Sequence, residues 1–178
     1  MNLQTQTQEY IMIIQTAKQI ISEVAPTLEK QYGAKLWDLN IIASKRMITT
    51  WGYAEIVNRG KGEIKLSEKI FSGKVHTKAF RNLVIHELCH IYEYQLKQKV
   101  SHSNFWKELV VVAGGLPERF TTAEERAEVG VIIGRETMTY KCDCRTHEIS
   151  ARTHNKILGG KLYRCKHCKT RLFKMCEN

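Results

Sequence analysis

The chain has 178 residues, of which 43% are hydrophobic, and a formal net charge of +10. This composition argues against a disordered chain and a collagen-like repeat, and nowhere do eighteen apolar residues follow one another as a transmembrane span requires. The polar start, residues 1–9, lacks the basic and apolar regions of a signal peptide. The length suits one core domain with a small appendage.

The first 71 residues are predicted to form one helix followed by short strands. From residue 5 to 25, apolar side chains recur at three- and four-residue steps, which predicts an amphipathic helix that Pro26 ends. Three β-rich runs follow, at 39–43, 48–57 and 63–71. A glycine-containing stretch at 58–62 predicts a hairpin turn, so that the runs form a small antiparallel meander.

The helical period returns in the middle of the chain. Apolar residues surround the polar trio of His86, Glu87 and His90 and predict a helix over 77–97. Ser103 is placed to cap a further helix that Gly114 would end, and one more helix is predicted over 122–135. Together with the strands, these helices predict an α+β fold.

Residues 86–90 form an H-E-x-x-H motif. On a helix, His86 and His90 share one face, so that each can offer a ring nitrogen to the same zinc ion. Glu87 then flanks the open coordination position, where it can take a proton from a water molecule and return it to the leaving amine. The motif therefore predicts hydrolysis of peptide bonds at a catalytic zinc site.

The motif leaves the third zinc ligand open. A metzincin would have glycine and then histidine where Glu93 and Leu96 stand, so that subclass is excluded. His102 is the preferred ligand because an extended loop after the helix can return it to the metal. The alternative is a carboxylate from a later helix: Glu124, Glu125 or Glu128.

Five of the six cysteines lie in the last quarter of the chain, which favours metal binding in a reducing compartment over a disulfide framework. Two chelating pairs, Cys142 with Cys144 and Cys165 with Cys168, are separated by twenty residues, as in a structural zinc site. Metal binding would supply folding free energy to a segment with few large apolar residues. Three histidines are alternative ligands: His147, His154 and His167. Cys176 is expected to be a free thiol.

The composition shifts to Cys, His, Lys and Arg after Tyr140, which predicts a junction at 137–140 and two domains, 1–138 and 139–178. Residues 139–178 carry 10 of the 28 basic side chains but only 3 of the 18 acidic ones, a net charge of +7. Such a tail attracts a polyanion such as DNA through counterion release, the alternative being a solvated basic surface. Six residues are candidates for nucleic-acid contact: Arg152, Lys156, Arg164, Lys166, Lys169 and Arg171.

These motifs together resemble the SprT-like family, which includes the Spartan proteases. The resemblance is carried by 86–90, 102–106, 51–56, 63–67 and, in the tail, the cysteine pairs with Tyr140, Arg152, His154 and Tyr163. It implies a zincin-like metalloprotease core with ligands His86, His90 and His102 and the base Glu87. It also implies a C-terminal zinc ribbon on Cys142, Cys144, Cys165 and Cys168. Ser103 departs from the pattern, since glycine is common there.

The resemblance also implies a partner, because Spartan-like members digest proteins crosslinked to DNA and are activated by DNA with single-stranded character. We therefore hypothesise a zinc endopeptidase with one catalytic and one structural Zn²⁺ that acts on proteins bound or crosslinked to DNA. One alternative is a DNA-binding or regulatory ribbon protein with a vestigial protease site. Another is a general processing metalloprotease independent of DNA. We expect a monomer without a membrane partner, in the cytoplasm and associated with DNA or the nucleoid, or in the host cytoplasm if the protein is viral.

Overall fold

The computed structural model describes residues 3–130 and 137–174, and the chain divides into two compact units, Met1–Val131 and Ile132–Asn178. Both units combine helices with a small three-stranded sheet, which confirms the predicted α+β class. The predicted junction, 137–140, falls within the strand Thr137–Lys141 of the second unit. Among the described residues, no helix is long and apolar enough to cross a membrane.

A long helix, α1 (Leu3–Tyr32), opens the first unit. One of its faces is buried at three- and four-residue steps, through Ile13, Ala17, Ile20, Val24 and Leu28. The helix is confirmed, but the prediction that Pro26 ends it was wrong. Proline removes one helical N–H, yet Leu28 and Tyr32 continue the apolar face beyond it, so that packing keeps the last turns helical.

The sheet of the first unit contains β1 (Asp38–Ser44), β2 (Gly52–Asn58) and β3 (Lys61–Ser67) in the order β1-β3-β2. β2 and β3 form the predicted antiparallel hairpin, but β1 pairs with β3 in parallel, so the predicted meander was wrong. The reason is burial. β3 contributes the fully buried Ile64 and Leu66, whereas no residue of β2 is buried, so β3 takes the centre and β2 the edge.

The last β-rich run changes type partway. Ser67 ends β3 and caps a short helix, α2 (Glu68–Phe71), with its hydroxyl oxygen 3.2 Å from the backbone nitrogen of Ile70. The strand predicted over 63–71 therefore stops early because a capping side chain competes with continued pairing.

Helix α3 (Lys78–Lys97) packs against β2 and carries the H-E-x-x-H motif. Thr77 caps its first turn through the backbone nitrogen of Phe80. The carboxylate of Glu128 accepts the backbone N–H groups of Lys78 and Ala79, at 3.0 and 2.8 Å. These contacts satisfy N–H groups that a helix start leaves unpaired and fix where the motif lies.

Two shorter helices complete the first unit. α4 (Asn104–Val112) has Ser103 as its N-cap, as the sequence predicts. α5 (Ala123–Glu128) starts with a capping box between Thr122 and Glu125. The helix predicted over 122–135 is therefore observed to Glu128, and its end lies outside the described residues.

The second unit has a sheet of order β5-β4-β6, made of β4 (Thr137–Lys141), β5 (Thr146–Ser150) and β6 (Phe173–Lys174), with α6 (Ala151–Leu158) following β5. In residues 137–174 the buried core consists of Tyr140, Cys142, Cys165 and Leu172. So small an apolar core needs additional stabilisation. Cys176 lies outside the described residues.

The close contact between Gly62 and α3 gives a test of this packing. A Cβ on Gly62 would lie 2.8 and 2.9 Å from the Cδ1 and Cγ2 atoms of the fully buried Ile91. We expect Gly62→Ala to lower the free energy of unfolding of the first unit by about 1–3 kcal/mol, because α3 must move away from β3. Urea denaturation followed by tryptophan fluorescence measures this, since all three tryptophans lie in residues 1–131.

Gly159→Ala is the matched control. Its Cβ would meet ordinary contacts of 3.5 Å or more in the second unit. The tryptophan transition should therefore stay at the wild-type midpoint. An unchanged midpoint in Gly62→Ala would instead show that the helix and the sheet accommodate a methyl group between them.

Candidate metal centre and active site

Three histidine side chains of the first unit converge. α3 presents His86 and His90, and the loop before α4 brings His102 to them. The Nε2 atom of His86 lies 3.2 Å from Nε2 of His90 and 3.1 Å from Nε2 of His102. Nitrogens about 2.0–2.1 Å from one tetrahedral zinc ion would lie about 3.3 Å apart. The three imidazoles therefore fit a shared metal ion, with one coordination position left for water or substrate.

Burial keeps these rings neutral. Desolvation, with the nearby charges of the other two histidines, lowers the pKa of His86 to about 3, and desolvation with His102 lowers the pKa of His90 to about 4. Desolvation, followed by the charge of Arg119, also lowers the pKa of His102. A neutral imidazole offers the lone pair that a metal needs. The backbone carbonyl of Glu118 also accepts a hydrogen bond from His86, which orients that ring.

Trp106 packs against all three imidazoles. Its fully buried ring has centroid distances of 4.6 Å to His86 and to His102, and it stacks on His90 at 5.2 Å. An apolar surface beside the rings lowers the local dielectric and limits their rotation. The H-E-x-x-H pattern gives no sign of this role; the available signal is that Trp106 stands four residues after His102, in a helix that Ser103 caps.

Glu87 lies beside the histidines and is itself buried. Desolvation raises the pKa of this carboxyl to about 7, against the opposing effect of a backbone hydrogen bond from Ala54 of β2. General acid–base catalysis is most effective when the pKa lies near the working pH. The geometry thus combines three neutral nitrogen donors with a carboxyl able to exchange a proton near neutrality.

A cleft of about 280 Å³ opens beside His86, Glu87 and His102. Apolar side chains form much of its wall: Trp51, Leu83, Leu116 and Phe120. Phe120 is 74% exposed and Leu116 is 48% exposed, so this wall is accessible to a large molecule. The cleft is therefore suited to a polypeptide segment laid next to the three imidazoles.

The carboxylates considered as alternative third ligands have other partners. Glu125 accepts hydrogen bonds from the side chain of Asn82 and from the backbone of Thr122, both at 2.8 Å. Glu128 holds the start of α3, and Glu124 bonds to its own backbone and to the Thr122 side chain. Within residues 3–130, the cluster containing both motif histidines is completed by His102.

The second unit brings four thiols together. The sulfurs of Cys142, Cys144, Cys165 and Cys168 lie within 4.8 Å of one another. Cys144 Sγ is 3.4 Å from Cys142 Sγ and 3.7 Å from Cys165 Sγ, close to the edge of about 3.8 Å expected for a tetrahedral zinc–thiolate site. Hydrogen bonds from Thr170 lower the pKa of Cys168 to about 6, and backbone N–H groups lower that of Cys165. These thiols are poised to bind a metal as thiolates.

The three histidines considered as substitute ligands differ in their surroundings. His147 Nε2 lies 3.1 Å from Cys142 Sγ, as an outer contact to the cluster. His154 is buried and bonds through Nδ1 to the Tyr140 hydroxyl at 3.0 Å, in the core of the unit. His167 is exposed. In residues 137–174, the group able to hold a metal is the four-cysteine cluster.

All six candidates for nucleic-acid contact are exposed. Arg152 and Lys156 lie four residues apart on α6. The other four lie on one hairpin, in which residue 164 bridges to residue 171 around the second cysteine pair: Arg164, Lys166, Lys169 and Arg171. We call these four residues the basic hairpin. The exposed ring of Phe173 lies 5.9 Å from the Arg171 guanidinium.

Comparison with known proteins agrees with the first site. The SprT-like family model matches residues 17–125, more than half of the chain. Protein SprT of Vibrio atlanticus (strain LGP32) is 36% identical over 113 residues, which cover 62% of this chain and 64% of that protein. The corresponding proteins of Shigella flexneri serotype 5b and Escherichia coli O1:K1 are 33% identical over 100 residues, covering 54% and 58%.

The chain spans about three fifths of the length of these relatives. No solved structure matches it. The matched region contains His86, Glu87, His90 and His102 and stops before the cysteine cluster. The chain therefore belongs to the SprT-like family.

Proposed function

We propose that this protein is a zinc-dependent endopeptidase that acts on proteins bound or crosslinked to DNA. The observation that carries the proposal is the convergence of His86, His90 and His102 beside the buried Glu87. Three neutral nitrogen donors with one free position are the donor set of a catalytic zinc, whereas structural sites are closed by four ligands.

The chemistry assigned to the residues is general acid–base catalysis. A zinc ion held by the three histidines would polarise the scissile carbonyl and make a water molecule more acidic. Glu87 accepts the proton of the attacking water and then donates it to the leaving amine. Trp106 and the apolar wall of the cleft exclude bulk water from one side, so charge interactions at Glu87 are strengthened.

The proposed DNA partner is supported by the second unit. The basic hairpin places four exposed cations close together in sequence and space, beside the exposed Phe173 ring. Cations bind phosphates without regard to sequence, and an exposed aromatic ring can stack on an unpaired base. Single-stranded DNA is therefore the form of nucleic acid that this surface fits.

The test is cleavage of a basic DNA-binding protein with and without single-stranded DNA. We expect DNA to accelerate cleavage, because it concentrates enzyme and substrate on one strand. Replacing Lys166, Lys169 and Arg171 by glutamine should abolish this acceleration and reduce the salt dependence of DNA binding by about 0.7 per lost phosphate contact. The control replaces three exposed lysines of the first unit by glutamine: Lys18, Lys30 and Lys61.

Two outcomes contradict the proposal in different ways. Equal cleavage with and without DNA would indicate a general processing protease. Salt-sensitive DNA binding without any turnover in the zinc-loaded wild type would indicate a DNA-binding or regulatory protein with a vestigial protease site.

A further inference from the structure

Glu93 is a buried carboxylate outside the H-E-x-x-H motif, one turn beyond His90 on α3. Its exposed fraction is 1%. Burying a carboxylate is costly unless its oxygens accept hydrogen bonds. Here the backbone N–H of Ser101 donates to Oε2 at 2.8 Å, and the hydroxyls of Ser101 and Ser103 donate to Oε1 at 3.1 and 2.6 Å.

The two serines are the neighbours of His102 on either side. A single carboxylate on α3 therefore holds the residue before and the residue after the third histidine. The Ser103 hydroxyl also accepts the backbone N–H of Trp106 at 3.2 Å, as the N-cap of α4. Glu93 thus joins the helix that carries His86 and His90 to the loop and helix start that carry His102 and Trp106.

The path of the chain shows why this connection matters. α3 ends at Lys97, and Gln98 reverses the chain in the left-handed conformation, with φ at 53°. The next residues, Lys99 and Val100, are exposed. A surface loop of this kind is mobile unless it is held, and hydrogen bonds to a charged acceptor are stronger than those to a neutral one.

We propose that Glu93 is a positioning residue that fixes His102 at the metal site through Ser101 and Ser103. This inference rests on the proposed function, since it requires a metal ion at the three histidines. Groups that orient metal ligands in this way change metal affinity about 10–100-fold when they are removed. Glu93 contributes no ligand atom; it acts through the loop.

The experiment measures Zn²⁺ affinity of the full chain by competition with a chromophoric chelator. Wild-type protein should release two zinc ions, and His86→Ala, which retains the cysteine cluster, identifies which release belongs to the histidines. We expect Glu93→Leu to weaken the histidine site about 10–100-fold and leave the cysteine site unchanged. Glu93→Gln should have a smaller effect, because its amide oxygen still accepts a hydrogen bond from Ser103.

A matched control separates positioning from loss of a buried charge. Glu68 is also a buried carboxylate of the first unit, with 7% exposure, and does not line the cleft. Glu68→Gln should leave both zinc affinities at their wild-type values. The effects of Glu93→Gln and Ser103→Ala on zinc affinity should also be less than additive, because both changes remove the same hydrogen bond.

The outcomes are distinguishable. Unchanged affinity of the histidine site in Glu93→Gln and Glu93→Leu, even with lower thermal stability, would overturn the positioning role and leave the proposed function standing. If Glu93→Leu does not fold, Glu93→Gln decides. A zinc-saturated wild type with metal only at the cysteines would overturn the proposed function and this inference with it.

Discussion

Glu87→Gln is expected to lower the rate of peptide cleavage by at least about 10²-fold while both metal sites stay filled. Glutamine has the shape of glutamate but no basic oxygen, so it can neither accept the proton of the attacking water nor deliver one to the leaving amine. The effect is large because Glu87 is buried beside the histidines, where bulk water is a poor substitute. Initial cleavage rates and zinc content per chain, measured on the same preparation, check both parts.

Glu55→Gln is the control for this experiment. Its carboxylate lies on the edge strand β2 and is 54% exposed, with a surface ion pair to Lys65. Exposed pairs contribute little to stability, so activity should stay at the wild-type level. Glu87→Gln protein that keeps more than a tenth of wild-type turnover would contradict the assignment of Glu87 as the base.

The residues of the candidate metal centre could be predicted from spacing and chain reach. His86 and His90 share a face because a helix repeats every 3.6 residues, and a loop of five residues can return His102. Glu93 and Trp106 escaped this reasoning. A carboxylate that bonds to residues eight and ten positions later follows no helical or strand period, and it becomes visible only once Gln98 has reversed the chain.

The sheet was harder to predict than the site. Alternating hydrophobicity identifies a strand but does not say which strand lies beside it. The sequence separation of β2 and β3 by a short turn made their hairpin predictable, whereas β1 pairs in parallel with β3 because the most buried strand takes the centre. Helix α1 passes Pro26 for a related reason, since burial of Leu28 outweighs a local preference.

The second unit shows the same division between local and long-range information. The four cysteines could be predicted as one cluster from their chelating spacing, and the structure brings their sulfurs together. Helix α6 was not predicted, because a polar segment of eight residues has little apolar periodicity. Its signals are the Ser150 cap and the burial of His154 against Tyr140.

Removing the metal from the cysteine cluster is expected to unfold the second unit and leave the first unit folded. In residues 137–174 the buried apolar core has four members, and two of them, Cys142 and Cys165, belong to the cluster itself. The first unit has 26 buried hydrophobic residues in residues 3–130. Structural zinc contributes about 10–16 kcal/mol in small metal-dependent domains, which exceeds what so small a core can supply.

Cys165→Ala gives the same result without a chelator, because it removes one thiolate and leaves three ligands. Amide resonances of residues 137–174 should collapse to the narrow range of an unfolded chain, whereas the tryptophan fluorescence transition of the first unit should stay unchanged. Cys89→Ala, which removes a buried cysteine of α3 outside the cluster, should affect only the tryptophan transition. Dispersed resonances of the second unit in metal-free protein would show that its fold does not depend on the cysteine-bound metal, and the assignment of a structural zinc would then fail.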